Sequence, residues 1–210
     1  MSNPVVGRTI EDKDGNLWIG TEGGGLNYYN RRTREFKWYR PQEGRNSISH
    51  NNVKALYYDA DKEIIWIGTH LGGLNKLDIR SGHFTHYRME ENNPQALPSD
   101  IIRDITPYKN RLIIATQNGV CLFDPANGKC QQLFKDSKEG KSIKMVADVL
   151  LDSKGTLWIA ATGEGVFSYR FDTRKLTNYR HDSANPNSLS NNNVNNICLL
   201  YTSDAADDKA

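Results

Sequence analysis

The chain has 210 residues, of which 37% are hydrophobic and 10% aromatic, enough for a packed core. Its 27 Lys and Arg nearly balance its 25 Asp and Glu, for a net charge of +2, which argues against a dedicated nucleic-acid protein with its concentrated basic stripe. No apolar run approaches the length of a membrane helix, and three cysteines, Cys121, Cys130 and Cys198, fit no metal spacing and read as free thiols.

The start, Met1-Ser2-Asn3-Pro4, has no charged-then-apolar signal pattern. In a complete protein that would point to the cytoplasm, but this chain reads as a fragment. The first strand runs from about Val6 to Asp12, and Asp14-Gly15-Asn16 is turn material. A second strand holds Leu17-Trp18-Ile19-Gly20-Thr21, and strands at 26–29 and 36–39 follow. The basic run Arg31-Arg32-Thr33-Arg34 between them reads as charge that blocks edge pairing.

The second repeat is the clearest. Val53-Lys54-Ala55-Leu56-Tyr57-Tyr58-Asp59 alternates with the period of a strand. Asp59-Ala60-Asp61-Lys62 turns the chain into a strand at 64–69, and Gly72-Gly73 opens a tight turn into 74–78. Arg80-Ser81-Gly82 is a hairpin signal before 83–87. The third repeat predicts strands at 101–106, 111–116, 120–124 and 130–134, with Pro107 expected to make that blade irregular. The fourth predicts 145–152, 157–161, 166–171 and 176–179.

Trp18, Trp66, Ile113 and Trp158 stand at one repeat position, spaced 48, 47 and 45 residues apart. A fixed period in the forties built of short strands is the signature of a propeller. The fold class is therefore all-β: a β-propeller fragment of about four four-stranded blades in an incomplete ring. The blades fall at about 6–40, 53–88, 101–135 and 145–180, and a fifth begins at 194–197. The indoles fill the gap between stacked sheets, each burial worth on the order of 3 kcal/mol. Two positions on, Gly20, Gly68, Ala115 and Ala160 leave room for the neighbouring blade. Residues 198–210 break the repeat, resemble translated sequencing-adaptor read-through, and are left out of the functional reading.

Between blades, Asn46-Ser47-Ile48-Ser49-His50-Asn51-Asn52-Val53 matches Asn187-Ser188-Leu189-Ser190-Asn191-Asn192-Asn193-Val194. The set Asp-x-x-Gly-x-Leu-Trp-Ile-Gly-Thr, then Gly-Gly-Leu, then an aromatic strand, then this linker resembles the two-component regulator propeller repeats, from about Val6 to Ile197. The Gly-His and Trp-Asp pairs of WD40 repeats are absent. The resemblance implies a periplasmic sensor region of a hybrid histidine kinase anchored in the inner membrane, with an oligosaccharide ligand. It also implies the remaining blades of the parent chain as partners and a homodimer in the full-length receptor, with no nucleic acid and no membrane contact by this segment.

No catalytic constellation and no cofactor motif stands out. Asp12-Lys13-Asp14-Gly15 opens like a calcium loop, but its twelfth position is Gly23 rather than Glu, so a turn is expected. Gly23-Gly24-Gly25 lacks the Gly-Lys-Ser/Thr of a phosphate loop. Antiparallel strands alternate direction, so the loops between blades and those joining second to third strands share one face. That face carries Glu22, Arg45, His50, Asn52, His70, Asp100, Gln117 and Glu164, with Arg103 near the central channel. Polar groups converging on an opening suit a carbohydrate or an anion. A propeller enzyme such as a lyase and a protein-interaction scaffold are the competing readings. Trp38, outside the repeat position, is expected at the blade rim.

Overall fold

A computed structural model describes residues 1–137 and 139–199. Among these residues sixteen strands form four antiparallel sheets, each made of four consecutive strands. Blade one holds β1 (Val6–Glu11), β2 (Leu17–Thr21), β3 (Gly25–Asn30) and β4 (Glu35–Tyr39). Blade two holds β5 (Val53–Asp59), β6 (Ile64–Thr69), β7 (Leu74–Asp78) and β8 (Phe84–Tyr87). Blade three holds β9 (Ile102–Tyr108), β10 (Arg111–Thr116), β11 (Gly119–Asp124) and β12 (Lys129–Gln132). Blade four holds β13 (Val146–Leu151), β14 (Thr156–Ala161), β15 (Gly165–Arg170) and β16 (Lys175–Tyr179). The inner strands pack in sequence, β1 on β5, β5 on β9 and β9 on β13.

The period of two decides which blade each side chain meets. On β6, Ile65 and Ile67 turn back to Trp18 and Leu26 of blade one, while Trp66 turns forward to Ile102, Ile114 and Phe123 of blade three. On β10, Ile113 and Ala115 turn forward to Val149, Ile159 and Phe167 of blade four. Strand two of a middle blade is thus buried on both faces, which is why it reads as an unbroken apolar run. A Cβ on Gly68 would lie 2.5 Å from Ile102 Cγ2, and one on Gly20 would lie 2.6 Å from Val53 Cγ1. The small residue two positions past the indole is the space that the next inner strand occupies.

The Asp-x-x-Gly-x-Leu-Trp spacing has a polar purpose as well. Asp12 Oδ1 accepts the N–H of Asp14 at 3.0 Å and of Asn16 at 2.9 Å, and Oδ2 accepts the Trp18 indole N–H at 3.1 Å. Asp152 does the same for Lys154, Thr156 and Trp158. The carboxylate is the hub of a turn, as expected. In blade two the turn from Asp59 is one residue longer; Asp59 pairs with Lys62 at 2.9 Å and the Trp66 indole N–H is left without a partner.

Linkers clip onto the outer strands. Asn46 Oδ1 accepts the Phe84 N–H at 2.7 Å, and Asn75 Oδ1 accepts the Ser49 N–H at 2.8 Å. At the tight turn, Thr69 Oγ1 donates to the Gly73 carbonyl at 3.0 Å, and Gly73 adopts φ +71°, a conformation that glycine accepts without steric cost.

Several local expectations change. Pro107 does not disturb blade three: it lies within β9, opposite Leu112. β9 is the innermost strand of its sheet, with a partner on one side only, and an edge tolerates the missing N–H. The last strand of that blade stops at Gln132, and Phe134 follows at φ +67°. Residues 194–197 join no sheet; instead Ile197 donates its N–H to Asp148 Oδ2 at 2.8 Å. The non-repeat tail from residue 200 lies outside the described residues. Cys121 and Cys130 are free and buried, with Sγ atoms 3.2 Å apart, on a diagonal across β11 and β12 rather than directly opposed. Trp38 stands 54% exposed on β4, with the Arg40 guanidinium 5.8 Å from its ring.

Candidate functional site

Each inner strand carries a break in register near its start. β5 pairs Val53 with Thr69 and Ala55 with Gly68, so Lys54 bulges out of the ladder. β9 pairs Ile102 with Thr116 and Asp104 with Ala115, so Arg103 bulges in the same place. β13 bulges at Ala147. A bulge re-aims one side chain and strengthens local twist. In β5 and β9 it puts a cation beside the residue that follows strand two of the preceding blade. Lys54 pairs with Glu22, and Arg103 lies near His70.

The electrostatics follow from this placement. The Lys54 ammonium, hydrogen-bonded to Glu22, holds that carboxyl below its usual range. Burial pushes the His70 imidazole down, and the nearby charges of Arg103, Lys54 and His50 push it further, with Glu22 opposing them. His70 is therefore neutral at pH 7. Its Nδ1 is buried without a hydrogen-bond partner, as are the side-chain oxygens of Asn51 and Asn52. His50 Nδ1 accepts the Asn52 N–H at 3.1 Å, and the His70 N–H donates to the Asn52 carbonyl at 2.9 Å. Glu22, His50, Asn52, His70 and Arg103 thus share one mouth, drawn from blades one to three and the linker between the first two.

The other residues expected on this face are engaged elsewhere. Arg45 is exposed and reaches Gln42 Oε1 at 3.3 Å. Asp100 accepts the Met89 N–H at 2.7 Å and lies 3.6 Å from Arg88, so it closes the linker of blade three. Glu164 pairs with Arg180 at 2.6 Å. The position that matches Glu22 and His70 in blade four is Thr162, because both follow the last residue of strand two. Gln117 holds that position in blade three, half-buried, with its carbonyl accepting the Met145 N–H at 2.9 Å.

A second cluster lies deeper and was not foreseen. Arg8 of β1 donates to Asp104 of β9 at 2.7 Å and lies 3.8 Å from Asp148 of β13. With Thr9, Thr106 and Ile197 these residues line a central cavity of about 430 Å³. Burial drives the Asp148 carboxyl up to about 6; the Ile197 N–H and Arg8 oppose this, and the neighbouring Asp104 adds to it. Arg8, Ala55, Asp104 and Asp148 occupy one position of the four inner strands, two before the residues paired with Trp18, Trp66, Ile113 and Trp158. The available signal was a charge inside an otherwise apolar first strand. It was hidden because the turn between strands one and two varies in length from blade to blade.

Residues 54–207, more than half of the chain, match the SMP-30/gluconolactonase/LRE-like region, and residues 1–23 match the two component regulator propeller. The chain belongs to the SMP-30/gluconolactonase/LRE-like family. The propeller is similar to the crystallised extracellular domain assigned to a hybrid two-component system of B. thetaiotaomicron. The two are 25% identical with a TM-score of 0.77, over 86% of this chain and 25% of that one. It also shares its fold with the extracellular domain assigned to a one-component system of B. thetaiotaomicron, at 24% identity and a TM-score of 0.69, over 87% of this chain and 25% of that one. The propeller chain thus spans a quarter of the length of these solved relatives. No curated protein matches it. Among the described residues no helix is long and apolar enough to cross a membrane.

Proposed function

We propose that this chain is a ligand-sensing, extracytoplasmic propeller segment of a hybrid two-component regulator, located in the periplasm and recognising an oligosaccharide. The parent protein is a membrane-anchored histidine kinase, and this segment performs no catalysis. The observation that carries the reading is the mouth at Glu22, Lys54, His70 and Arg103, where buried polar atoms stand without partners. Such atoms are costly unless something hydrogen-bonds them, and sugar hydroxyls serve both donors and acceptors. The similarity to sensor ectodomains supports the same reading. Isothermal titration of the parent ectodomain against an oligosaccharide panel tests it. Binding of at least one sugar, weakened by His70→Ala, is expected; silence across the panel would overturn it.

A second reading, a propeller enzyme, has one observation in its favour besides the family's lactonase members. Asp148 is held near pH 6 beside Asp104 in the central cavity, the tuning of a general acid or base. Arg8 bridges that pair across the cavity, which favours a structural tie. Lactone hydrolysis by the ectodomain, abolished by Asp148→Asn, would establish the enzyme.

A further inference from the structure

Charge at the mouth does not balance. Glu22 is neutralised by Lys54. The half-buried Arg103 guanidinium, by contrast, has no carboxylate within ion-pair distance among the described residues. Its neighbour in sequence, Asp104, is taken by Arg8. Arg103 is only partly exposed, and the bulge in β9 takes it out of the ladder near His70. Near it, His70 Nδ1 and the side-chain oxygen of Asn52 are buried and unpartnered. One positive charge is left over, with polar atoms around it that something else must satisfy.

We infer that Arg103, with Lys54 and His70, forms a subsite for a single anionic group, a carboxylate or sulfate, carried by the oligosaccharide. The inference rests on the sensor reading above and names the ligand's charge. The guanidinium is planar and presents paired N–H donors that match two oxygens of a carboxylate or sulfate. Lys54, already shared with Glu22, adds a point charge from the neighbouring inner strand. Neutral His70 contributes a ring nitrogen and no charge. Two bulges one blade apart place both cations on the same rim, so the subsite belongs to the repeat and not to one loop.

Calorimetry on the parent ectodomain distinguishes the outcomes. The probes are three oligosaccharides of matched length: a neutral one, one with a uronate and one with a sulfate ester. The structure predicts that at least one anionic probe binds more tightly than the neutral one, and that rising salt reduces this advantage. Arg103→Ala is expected to weaken the anionic probe about 10- to 100-fold, well beyond its effect on the neutral probe, with partial recovery in Arg103→Lys. Lys141→Ala, in the basic groove formed by blade three and the linker that follows it, is the control and should change nothing. Preference for the uronate or for the sulfate tells which group the fork takes. If the neutral probe binds as well as both anionic ones, or if Arg103→Ala spares anionic binding, the inference falls and the sensor reading stands. If no probe binds, the sensor reading itself falls.

Discussion

Blades two and four carry the same motif with different consequences. Trp66 is 1% exposed, wedged between its own sheet and Ile102 and Phe123 of blade three. Trp158 occupies the same strand position but is only half-buried. It borders a groove of about 580 Å³ lined by Val166, Tyr179 and Leu189, where no described sheet packs. Their polar ends differ in the reverse sense: the Trp158 indole N–H is bonded to Asp152 at 3.0 Å, while that of Trp66 has no partner. A blade supplies the residue, and the following blade supplies the burial. Stability in such an array is close to a sum of repeat terms and nearest-neighbour interfaces.

The largest effect that sharpens this comparison is truncation of the two indoles. Trp66→Ala is expected to cost about 3–5 kcal/mol, the range for a buried aromatic replaced by alanine. Trp158→Ala should cost less than half as much. Guanidinium unfolding of both variants measures the ratio, and equal losses would mean that a neighbour covers Trp158 in solution. Next in size is Gly68→Ala. Its Cβ would press on Ile102 Cγ2 and, at 2.9 Å, on Ala55 Cβ, so about 1–3 kcal/mol of overpacking is expected. Blade four already carries Ala160 at this position, and Ala160→Gly should shift stability by less than Gly68→Ala in the same unfolding experiment.

The smallest effect concerns the channel, which ties blade one to blades three and four. The Asp148 carboxyl titrates at about 6 in the folded protein, above the ordinary value of about 3.9 for an unfolded chain. Between these values the folded state binds more protons than the unfolded one. The contribution of Asp148 is therefore full below about pH 4 and is lost as pH rises through 6. His70, whose imidazole is pushed down, works in the opposite direction: as pH falls below about 6.5 the unfolded state takes up the proton first and stability declines. The difference between Asp148→Asn and the unaltered chain isolates the carboxylate. Relative to the unaltered chain, the variant should gain stability between pH 4 and 7, as read from urea midpoints at each pH. A flat difference would remove the tie from the account.

Blade number, strand order and the indole between blades were legible because each repeat writes the same physical requirement again: an alternating strand, a turn anchored by Asp12 or Asp152, and a small residue where the next strand lies. The third blade was legible despite Ile113, which fills the same gap with less surface. The site was read less well. Topology, which fixes the end of a strand to one face, offered Glu22, His50, Asn52, His70 and Arg103 as candidates, and these lie near one another. Lys54 was overlooked because an unbulged strand would have aimed it elsewhere. Glu164, expected on the same face, pairs with Arg180 instead.

From sequence alone came the period, the all-β class and the identity of the residues between blades, since these depend on local alternation and on side-chain size. Tertiary structure alone decided where the charges meet. Arg8 finds Asp104 across 96 residues of chain, and no local rule relates positions that only a shared axis brings together. The bulges at Lys54 and Arg103 are of the same kind, because a one-residue slip in register is set by how two strands pair and not by either strand by itself.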